Sequence, residues 1–457
     1  MMLDRLAKRR IALFGFGLEG RSMAKVLHES AFPFTVIDDH RIATLEQVKR
    51  EYGRSVEVVL PKQITRALFD VIIVSPGVSW YRPELVKARD EGIEVTSPAS
   101  LWLEDYRDRR ILGITGTKGK STTASLAAVI LRSLGYTVAL GGNIGVPVTN
   151  FYREPDHDIY VIEFSSHQTT GLLNSPEAAV LTSLAPDHLT WHGSVEQYYH
   201  DKLNLFRESS SVRAAVNGLN AEAVSRTEGL ANRILYGRPE DPVHADDQYG
   251  YVHGEKVVRV RDLHLPGFHN RLNLLGALAG VHQLMGAAPV MNDVGPKLSA
   301  FHGLPSRLCR IASVGGIEYY DDALASNALA VSAALEVFHG KPLTLIMGGE
   351  DRGIPYDMFA KSLQKRLQRA TNVVLLPGSE RIEAAIRREL EASKSFIKLI
   401  PVASLQDAVL EAALVTPKGG AVLFSPGAPT PKKEGSYKDR SELFQKAVES
   451  LQKRSAS

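Results

Sequence analysis

The sequence has only one cysteine, Cys309, among its 457 residues. A single cysteine excludes an intrachain disulfide and a zinc site built on cysteine thiolates. Its neighbours Leu308 and Ile311 are apolar, a context that favours a packed side chain over a catalytic nucleophile. Disulfide-stabilised folds and cysteine chemistry are therefore not expected.

Long hydrophobic runs and an excess of one charge are also missing. No segment approaches the roughly 18 to 20 consecutive apolar residues of a membrane-spanning helix, and residues 1–10 are charged rather than signal-like. The 54 Lys and Arg residues are balanced by 51 Asp and Glu residues, which gives a net charge of +3. A protein that coats nucleic acid would carry a clearer basic excess. We therefore expect a cytoplasmic protein that binds neither a membrane nor nucleic acid.

The sequence does contain a regular alternation of short apolar runs and segments of helical period. This alternation is typical of α/β proteins, in which parallel strands are flanked by helices. A chain of 457 residues exceeds one hydrophobic core, so two or three domains are expected. The polar stretch 237–262 indicates hairpins or an insertion, and a helix is predicted at 270–285. The predicted strands are 11–14, 35–37, 58–60, 71–74, 111–114, 160–163, 179–184, 214–217, 317–320, 343–347, 373–376 and 422–424.

A Gly-x-Gly-x-x-Gly pattern, Gly15, Gly17 and Gly20, follows the first predicted strand. Such glycines permit a tight turn and let the next helix approach a phosphate, while Asp38, after the second strand, can bind a ribose hydroxyl. The pattern favours a nucleotide ligand, either NAD or a uridine nucleotide, although it also serves strand–helix packing alone. A nucleotide-binding module without chemistry is therefore one alternative.

The strongest motif is segment 113–122, Gly-Ile-Thr-Gly-Thr-Lys-Gly-Lys-Ser-Thr, between a predicted strand and an apolar helix. In such a loop the backbone N–H groups bind phosphate oxygens, Lys120 neutralises charge on the β- and γ-phosphates, and Ser121 can bind Mg²⁺. The spacing departs from the strict P-loop because Ile114 stands where the first glycine belongs. We still predict that this loop binds phosphate.

Three polar side chains follow this loop near predicted strand ends. Glu163 closes a buried strand, where a carboxylate can serve Mg²⁺, and the alternative is a capping acid on a surface loop. His188 follows Asp187 in a proline-initiated turn at a strand's carboxyl end, where ligands bind in open α/β sheets. His192 is expected to be structural. Lys202, on the next predicted helix, is by itself an ordinary surface lysine.

These motifs stand in the order and spacing of the Mur ligases of peptidoglycan synthesis, which the whole chain resembles. The resemblance rests on segments 115–121, 163–166, 187–188, 202–203, 267–270 with 273, and 303–307. Segments 15–20 and 141–145 are most similar to the members that add glutamate. The resemblance implies a Rossmann-like domain at 1–105, a P-loop ATPase-like domain at 106–308 and a second Rossmann-like domain at 309–457.

The resemblance also implies an ATP-dependent amide ligase that phosphorylates a substrate carboxylate before an amine attacks it. The residues expected to bind ATP are Thr115, Gly116, Thr117, Lys118, Gly119, Lys120, Ser121, Thr122, Asn270, Asn273, Arg307 and Asp322. Ser121 and Glu163 would serve one Mg²⁺, and His188 and Lys202 a second. Lys202 matches a lysine that is carbamylated in this family, because a carbamate is an anion and can bind a metal. The expected catalytic residues are Lys120, Glu163, His188 and Lys202.

The substrates that the resemblance implies are UDP-N-acetylmuramoyl-L-alanine and glutamate, bound by a monomer. From the uridine diphosphate end to the glutamate end, the expected contacts are Leu18, Glu19, Asp38, Ser75, Asn143, Ser165, Ser326, Arg352, Thr430 and Tyr437. Arg352 is the expected cation for a glutamate carboxylate, since guanidinium groups pair well with carboxylates.

Four departures from the family pattern lie mostly in the third domain. Leu324 stands where a phosphate-side lysine is usual, Ser306 where a histidine is usual, and His167 where an aromatic residue is common; segment 425–430 also differs. They leave the ATP chemistry in place and make the amino acid the least determined part. D-Glutamate is the first expectation. The alternatives are L-glutamate addition or another Mur-type ligase, such as a folylpolyglutamate or diamino-acid-adding enzyme.

Overall fold

The computed structural model describes residues 5–263, 265, 267–289, 291–301, 303–338, 340–350, 353, 355–366, 371–393 and 397–456. The chain folds into two compact units, the first made of residues up to 263 and 268–301, and the second of the remaining described residues. The first unit contains two sheets and the second contains one, all rich in parallel strands. The predicted α/β class is therefore confirmed, whereas the domain boundaries near 105 and 308 stay a prediction.

The first sheet of unit 1 has five parallel strands in the order β3-β2-β1-β4-β5. The central strands β1 and β4 are buried along their whole length, as their apolar runs predict. The strand order reverses at β1, and ligands of open α/β sheets bind at the carboxyl ends of strands beside such a reversal. The bounds are β1 Ile11–Phe14, α1 Leu18–Glu29, β2 Phe34–Ile37, α2 Arg41–Tyr52, β3 Val58–Val59, β4 Val71–Val74, α3 Pro83–Asp90, β5 Glu94–Thr96 and α4 Pro98–Asp105.

The second sheet of unit 1 has nine strands in the order β14-β13-β12-β11-β10-β9-β6-β8-β7. Strands β6 to β12 pair in parallel, and β12, β13 and β14 form the antiparallel hairpins predicted for 237–262. The bounds are β6 Arg110–Thr115, α5 Lys120–Ser133, β7 Val138–Gly142, β8 Ile159–Glu163, α6 Ser166–Thr169, β9 Ala178–Leu181, α7 Leu189–His192, α8 Val195–Leu203, β10 Arg213–Asn217, α9 Ala221–Arg226, β11 Asn232–Tyr236, β12 Val243–Ala245, β13 Tyr249–Val252, β14 Glu255–Arg259, α10 Phe268–Met285 and α11 Met291–Ser299.

Helices α5 and α10 pack against each other on this second sheet. Gly280 lets α10 lie close to the sheet, because a Cβ atom there would meet Val180 of β9 at 2.5 Å. This packing brings the first turn of α10 to the loop that precedes α5. Although α10 is largely apolar, neither it nor any other described helix is long and apolar enough to cross a membrane.

Unit 2 has a six-stranded sheet in the order β15-β16-β20-β17-β18-β19, in which only β15 runs antiparallel to its neighbour. Cys309 begins β15, and burial raises the pKa of its thiol, which disfavours a reactive thiolate. The bounds are β15 Cys309–Val314, β16 Ile317–Asp321, α12 Ala328–Val337, β17 Leu343–Met347, α13 Asp357–Gln364, β18 Thr371–Leu375, α14 Glu380–Ser393, β19 Lys398–Pro401, α15 Leu405–Val415, β20 Ala421–Phe424 and α16 Tyr437–Ala456.

The glycine pattern after β1 yields a stability prediction. A Cβ atom at Gly20 would meet Ser75 Oγ at 2.6 Å and lie closer still to the Gly15 carbonyl oxygen, so Gly20→Ala must displace backbone. We expect it to cost about 1–3 kcal/mol of stability, as overpacking of a close contact does. The matched control is Gly17→Ala, since nothing lies within 4 Å of a Cβ atom there. Thermal unfolding should show a lower midpoint for Gly20→Ala alone, and equal midpoints would contradict the packing role.

Candidate active site

The loop between β6 and α5 carries the phosphate-binding motif. Gly116 and Gly119 have φ angles of 144° and 88°, which favour glycine. A Cβ atom at Gly116 would overlap Thr182, and one at Gly119 would overlap the side-chain amide of Asn273. Ser121, in the first turn of α5, is buried. The loop is therefore held closely between the end of β9 and helix α10.

Polar side chains of the loop fasten it to the neighbouring strand ends. Thr115 Oγ1 donates a hydrogen bond to a backbone oxygen just after β8 at 2.9 Å, and Thr117 Oγ1 donates to one after β9 at 2.9 Å. The ammonium of Lys118 lies 3.5 Å from a carboxylate oxygen of Asp187. Thr122 is partly buried. These contacts fix the loop to the turn that carries His188.

Asn270 and Asn273 lie at the start of α10, beside this loop. Nδ2 of Asn273 donates to Oδ1 of Asn270 at 3.1 Å, and Thr123 Oγ1 donates to Oδ1 of Asn273 at 3.4 Å. Both asparagines are buried. The structure thus brings the two residues expected at the adenine to the loop expected at the phosphates.

Two lysine amines converge on one backbone oxygen of the loop. Nζ of Lys120 donates to the oxygens of Gly116 at 3.0 Å and Thr117 at 3.2 Å, and Nζ of Lys202 donates to the same Gly116 oxygen at 3.0 Å. Lys202 is 1% exposed. Burial, and then the charge of Lys120, hold the pKa of Lys202 well below its usual range. Lys202 is therefore not an ordinary surface lysine.

Glu163 ends β8 beside these amines and is also buried. Its Oε1 accepts a hydrogen bond from Nδ2 of Asn143 at 2.9 Å. Oε2 is buried and has no hydrogen-bond partner among the described residues. A buried carboxylate oxygen without a partner is costly unless something else binds it, and a cation would satisfy it. The surface-cap alternative for Glu163 is therefore wrong.

His188 lies at the turn before α7, with a φ of 50° and a half-exposed ring. The His167 ring lies against it with a centroid separation of 4.8 Å, and against Trp191 at 4.6 Å. Burial, and then His188, lower the pKa of His167 to about 3, and burial lowers the pKa of His188. Both rings are therefore neutral at pH 7, which is the form that binds metals.

A chain of hydrogen-bonded polar side chains lies beside these rings, buried at Asp201, His192 and Ser166 and exposed at Tyr81, and sequence reasoning missed it. The Tyr81 hydroxyl donates to both oxygens of Asp201, at 2.6 and 2.8 Å. Nδ1 of His192 lies 2.6 Å from Oδ2 of Asp201, and its Nε2 lies 3.0 Å from Oγ of Ser166. The chain joins helix α8, which carries Lys202, to the segment after β8, which carries Glu163. His192 is structural, as expected, but no local pattern in the sequence indicated Tyr81 or Asp201.

The residues predicted for the uridine diphosphate lie along the first sheet. Ser75, after β4, donates from Oγ to the Gly15 oxygen at 2.8 Å and so closes the glycine-rich turn. Asp38, after β2, accepts from the His40 backbone N–H at 2.8 Å. Leu18 is exposed at the start of α1. These positions lie at the carboxyl ends of β1, β2 and β4.

Glu19, the second residue of α1, contacts helix α6, which follows β8 of the second sheet. Its Oε1 accepts from Nε2 of Gln168 at 2.6 Å. Gln168 in turn accepts through its Oε1 from the backbone N–H of Ser165 at 2.8 Å and from its hydroxyl at 3.0 Å. Ser165 caps helix α6 and lies two residues after Glu163.

In unit 2, the buried carboxyl of Asp322 links the start of β15 to the end of β20. Its Oδ1 accepts from the Leu308 backbone N–H at 3.1 Å, and its Oδ2 accepts from Oγ of Ser425 at 2.8 Å. Burial raises the pKa of Asp322 to about 7. Arg307 and Ser326 are exposed.

The loops after β17 and β20 meet at the carboxyl edge of this third sheet. The N–H of Gly348 donates to the oxygen of Pro426 at 2.9 Å, and Nη1 of Arg440 donates to the Gly348 oxygen at 3.0 Å. Thr430 and Tyr437 lie nearby in sequence and are partly buried. The predicted cation, Arg352, lies outside the described residues, and Arg440 is a buried cation at this edge that sequence reasoning missed.

Comparison with protein families gives two matches. The Mur ligase middle domain matches residues 114–281, and the Mur ligase MurD-like N-terminal domain matches residues 9–97. Together they cover the glycine-rich turn, the phosphate loop and the start of α10.

Similar proteins extend over nearly the whole chain. A UDP-N-acetylmuramoyl-L-alanine–L-glutamate ligase of Micromonospora sp. is 35% identical over 98% of this chain and 98% of its own. One of the same name from Xanthomonas axonopodis pv. citri is 33% identical over 96% of this chain and 94% of its own. A UDP-N-acetylmuramoylalanine–D-glutamate ligase of Acetivibrio thermocellus is 29% identical over 98% of both chains.

Solved structures show the same fold at low sequence identity. MurF ligase of Thermotoga maritima, solved in complex with ADP, superposes with a TM-score of 0.60 at 16% identity and covers 97% of this chain and 99% of that one. UDP-N-acetylmuramate–alanine ligase of the same organism gives a TM-score of 0.59 at 18% identity, with the same coverage. The family matches and the relatives that are more than 30% identical show that the chain belongs to the Mur ligase family and is an ATP-dependent ligase.

Proposed function

We propose that this protein joins the alanyl carboxyl group of UDP-N-acetylmuramoyl-L-alanine to the amine of glutamate, with ATP as the activating substrate. The observation that carries the proposal is the unpartnered buried Oε2 of Glu163, beside a phosphate-binding loop on which Lys120 and Lys202 converge. Such a site has an acceptor for a cation and donors for phosphate oxygens. A nucleotide-binding module without chemistry would need neither the buried acid nor the second amine.

The reaction requires activation because a carboxylate is a poor electrophile at neutral pH. We infer that an alanyl carboxylate oxygen attacks the γ-phosphorus of ATP and ADP leaves, which forms an acyl phosphate. The neutral amine of glutamate then attacks the acyl carbon, and the bond from that carbon to the phosphate oxygen breaks. Phosphate departs with the electron pair of that bond, and the nitrogen loses one proton to solvent as the amide forms. Loop N–H groups and Lys120 would stabilise the transferred charge by position alone.

The described side chains alone supply too few donors for Mg²⁺, so phosphate oxygens and a modified lysine would have to supply the others. Among the described residues, no group of three or more His, Cys, Asp and Glu side chains is placed to hold a metal ion. Glu163 and Ser121 would hold one Mg²⁺ together with phosphate oxygens, which matches the preference of Mg²⁺ for few protein ligands. His188 and a modified Lys202 would hold a second. Bound there, Mg²⁺ would neutralise negative charge on the phosphates.

Carbamylation of Lys202 follows from its burial. A buried ammonium whose hydrogen-bond acceptor among the described residues is one carbonyl oxygen is unfavourable, and burial lowers the pKa of Lys202 well below its usual range, which favours the neutral amine. The neutral nitrogen can attack CO₂, forming a nitrogen–carbon bond and releasing one proton, to give a carbamate anion. That anion would replace repulsion between two amines with attraction to Lys120 and to a metal.

The uridine diphosphate would bind at Leu18, Glu19, Asp38 and Ser75, and the muramoyl-alanine part near Asn143 and Ser165. Domains at 1–105, 106–308 and 309–457 would bind UDP-substrate, ATP and glutamate in turn, in a cytoplasmic monomer. Asn270, Asn273, Arg307 and Asp322 would complete the ATP site. Glutamate would meet Ser326, Arg352, Thr430 and Tyr437.

For the amino acid, we propose L-glutamate, with D-glutamate as the second candidate. Relatives named for L-glutamate are 31–35% identical to this chain, and those named for D-glutamate are 28–29% identical, at similar coverage. Leu324 in place of the usual lysine, and the altered segment 425–430, lie in the same unit as the expected glutamate pocket. These differences support a changed amino-acid preference.

The stereochemical proposal predicts a direct comparison of substrates. With ATP, Mg²⁺ and UDP-N-acetylmuramoyl-L-alanine, phosphate release should have a kcat/KM at least roughly tenfold higher for L-glutamate than for D-glutamate. One misplaced hydrogen bond of about 1.4 kcal/mol is enough for that ratio. Mass spectrometry of the product should show addition of one glutamate. A preference for D-glutamate would overturn the stereochemical part, and release with neither would overturn the reaction.

Replacement of Lys120 tests the phosphate loop. Lys120→Ala should lower kcat by about a hundredfold or more, because a charge that stabilises the transferred phosphoryl group is removed. The control is Lys87→Ala, which replaces an exposed lysine on α3 that pairs with Glu91 four residues away. Lys87→Ala should match the wild type. If Lys120→Ala stays within a few-fold of it, the loop is not the site of phosphoryl transfer.

Replacement of Lys202 tests the carbamate. Lys202→Ala should be nearly inactive, and short-chain carboxylic acids should partly restore its turnover by supplying the missing anion. Lys202→Arg keeps a cation but cannot form the carbamate, so it should be equally inactive. Phosphate release in bicarbonate-free buffer is the measurement. Full activity of Lys202→Arg there would show that an anion at this position is not needed.

A further inference from the structure

A cavity of about 470 Å³ lies within the first unit, beside the carboxyl end of α1. Its walls are the end of α1, the end of α4 with the turn that follows it, and the short helix Val148–Arg153 with the loop after it. Small-molecule sites in proteins are concave and usually measure about 300–1,000 Å³. The cavity therefore has the size of a ligand site, and the proposed reaction does not use it.

The cavity and the phosphate loop lie at opposite edges of the second sheet. Arg109 and Asp156 line the cavity just before β6 and β8 begin, whereas Thr115 and Glu163 end the same two strands beside the phosphate loop. Because a strand rises by about 3.3 Å per residue, the length of β6 separates the two places by roughly 15–20 Å. A ligand in the cavity would therefore not touch the nucleotide.

Side-chain contacts hold α1 against the short helix on the opposite wall. Oγ of Ser22 on α1 lies 2.5 Å from Oγ1 of Thr149 and donates a hydrogen bond to Oδ1 of Asn150 at 2.7 Å. At the end of α1, Oε2 of Glu29 lies 2.8 Å from Nε of Arg153. The cavity is thus bounded by two packed helices that are joined at two places.

Tyr106 and Tyr152 form the aromatic part of the cavity wall. Their rings meet edge to face with a centroid separation of 5.7 Å, and Tyr106 also stacks on the buried Trp102 at 4.7 Å. The Tyr106 hydroxyl donates to the Phe151 oxygen at 3.1 Å. These contacts fix the rings, which can pack against the apolar part of a ligand or attract a cation.

The charged side chains of the wall do not balance. Three carboxylates, Glu29, Asp105 and Asp156, face two guanidinium groups, Arg109 and Arg153. Arg153 pairs with Glu29, and Nη2 of Arg109 lies 2.6 Å from Oδ2 of Asp156. Since these two ion pairs cancel, the carboxylate of Asp105 leaves the wall with one negative charge.

The position of Asp105 favours a positive partner. Asp105 is the last residue of α4, and α1 also ends at the cavity, so two helix carboxyl ends add partial negative charge. Its Oδ2 accepts from the Tyr152 hydroxyl at 3.0 Å. Burial, and then Asp105, raise the pKa of Tyr152, so the phenol keeps its proton and remains the donor. A carboxylate can accept about four hydrogen bonds, so the phenol and an ammonium group can share it.

We propose that this cavity binds an organic cation, namely a primary amine carried on an apolar or aromatic body. The ammonium would pair with Asp105 between the two helix ends, and the body would pack against Tyr106, Tyr152 and Val26. An anionic ligand would instead have to displace an acid from Arg109 or Arg153. No covalent bond forms or breaks. The inference does not depend on the proposed function, because the cavity lies at the other edge of the sheet.

Calorimetric titration of the full chain with phenethylamine, which is protonated at pH 7, tests the proposal. The expected Kd is about 1 mM or lower, as for a small ligand that fills a fitted site. Phenethyl alcohol has the same shape without charge, and hydrocinnamate carries the opposite charge. Each should bind at least roughly tenfold more weakly, because the charge-assisted hydrogen bond is lost. Saturating ADP or UDP should leave the affinity for phenethylamine unchanged.

Three variants locate the bound amine. Asp105→Asn removes the charge but keeps an acceptor for Tyr152, so it should weaken phenethylamine binding at least roughly tenfold. Asp108→Asn, the same change at an exposed position outside the cavity wall, should bind like the wild type. Ser30→Phe places a ring in the cavity from the residue after α1 and should abolish binding without altering Asp105. Thermal unfolding confirms that each variant is folded, and Ser30→Phe decides if Asp105→Asn is not.

Four results would overturn the inference. Phenethylamine that fails to bind at millimolar concentrations, or binds no better than phenethyl alcohol, would show that the cavity does not select a cation. Tighter binding of hydrocinnamate would show that the arginines, not Asp105, determine the ligand. Full binding to folded Asp105→Asn or to Ser30→Phe would place the amine elsewhere on the protein. Competition by ADP or UDP would place it in the active site, and each of these results leaves the ligase proposal standing.

Discussion

The carbonyl oxygen of Gly116 receives hydrogen bonds from two lysine side chains, Lys120 and Lys202, each at 3.0 Å. Two amines at one oxygen repel each other when both are charged, and Lys202 is buried, so its charged form is disfavoured twice. Negative charge from another group would therefore stabilise the two amines at this loop. Phosphate oxygens, the unpartnered oxygen of Glu163 and a carbamate on Lys202 would each supply negative charge beside the two amines. The proposed chemistry uses all three.

The packing around the loop keeps the two amines in place. Gly116 and Gly119 leave no room for a side chain against Thr182 and Asn273, so the loop lies in close contact with the end of β9 and with α10. Helix α8 carries Lys202 and, just before it, Asp201. The carboxylate of Asp201 accepts a hydrogen bond from Tyr81, which lies between β4 and α3, and contacts His192. A hydrogen bond thus connects the segment after β4 of the first sheet to helix α8, which carries Lys202, within the first unit.

Local patterns in the sequence were enough to predict most strands and the phosphate loop. Buried strands such as β4 and β20 are continuous apolar runs, and segment 113–122 lies in consecutive residues, so both are visible without a structure. Strands β5 and β7 were not predicted, since β5 has three residues and β7 ends in two glycines. Their positions are set by pairing with β4 and β8, which is a tertiary effect.

Side-chain contacts across long sequence distances were beyond the reach of such patterns. Tyr81 and Asp201 are 120 residues apart, and neither belongs to a motif. Glu19 was expected at the substrate by resemblance, but its buried, unpartnered oxygen depends on Gln168, 149 residues away. The burial of Lys202 likewise depends on the loop at Gly116, 86 residues before it. The sequence shows which residue types are present. Their burial, and the loss of hydration that it causes, depends on the fold.

The state of Lys202 is the most direct test of this account. Protein equilibrated with ¹³C-labelled bicarbonate and observed by ¹³C NMR should show a carbamate signal in the wild type, and the signal should be absent from Lys202→Arg. The same signal in both proteins, or none in the wild type, would contradict the claim that burial beside Lys120 keeps this amine neutral and open to CO₂.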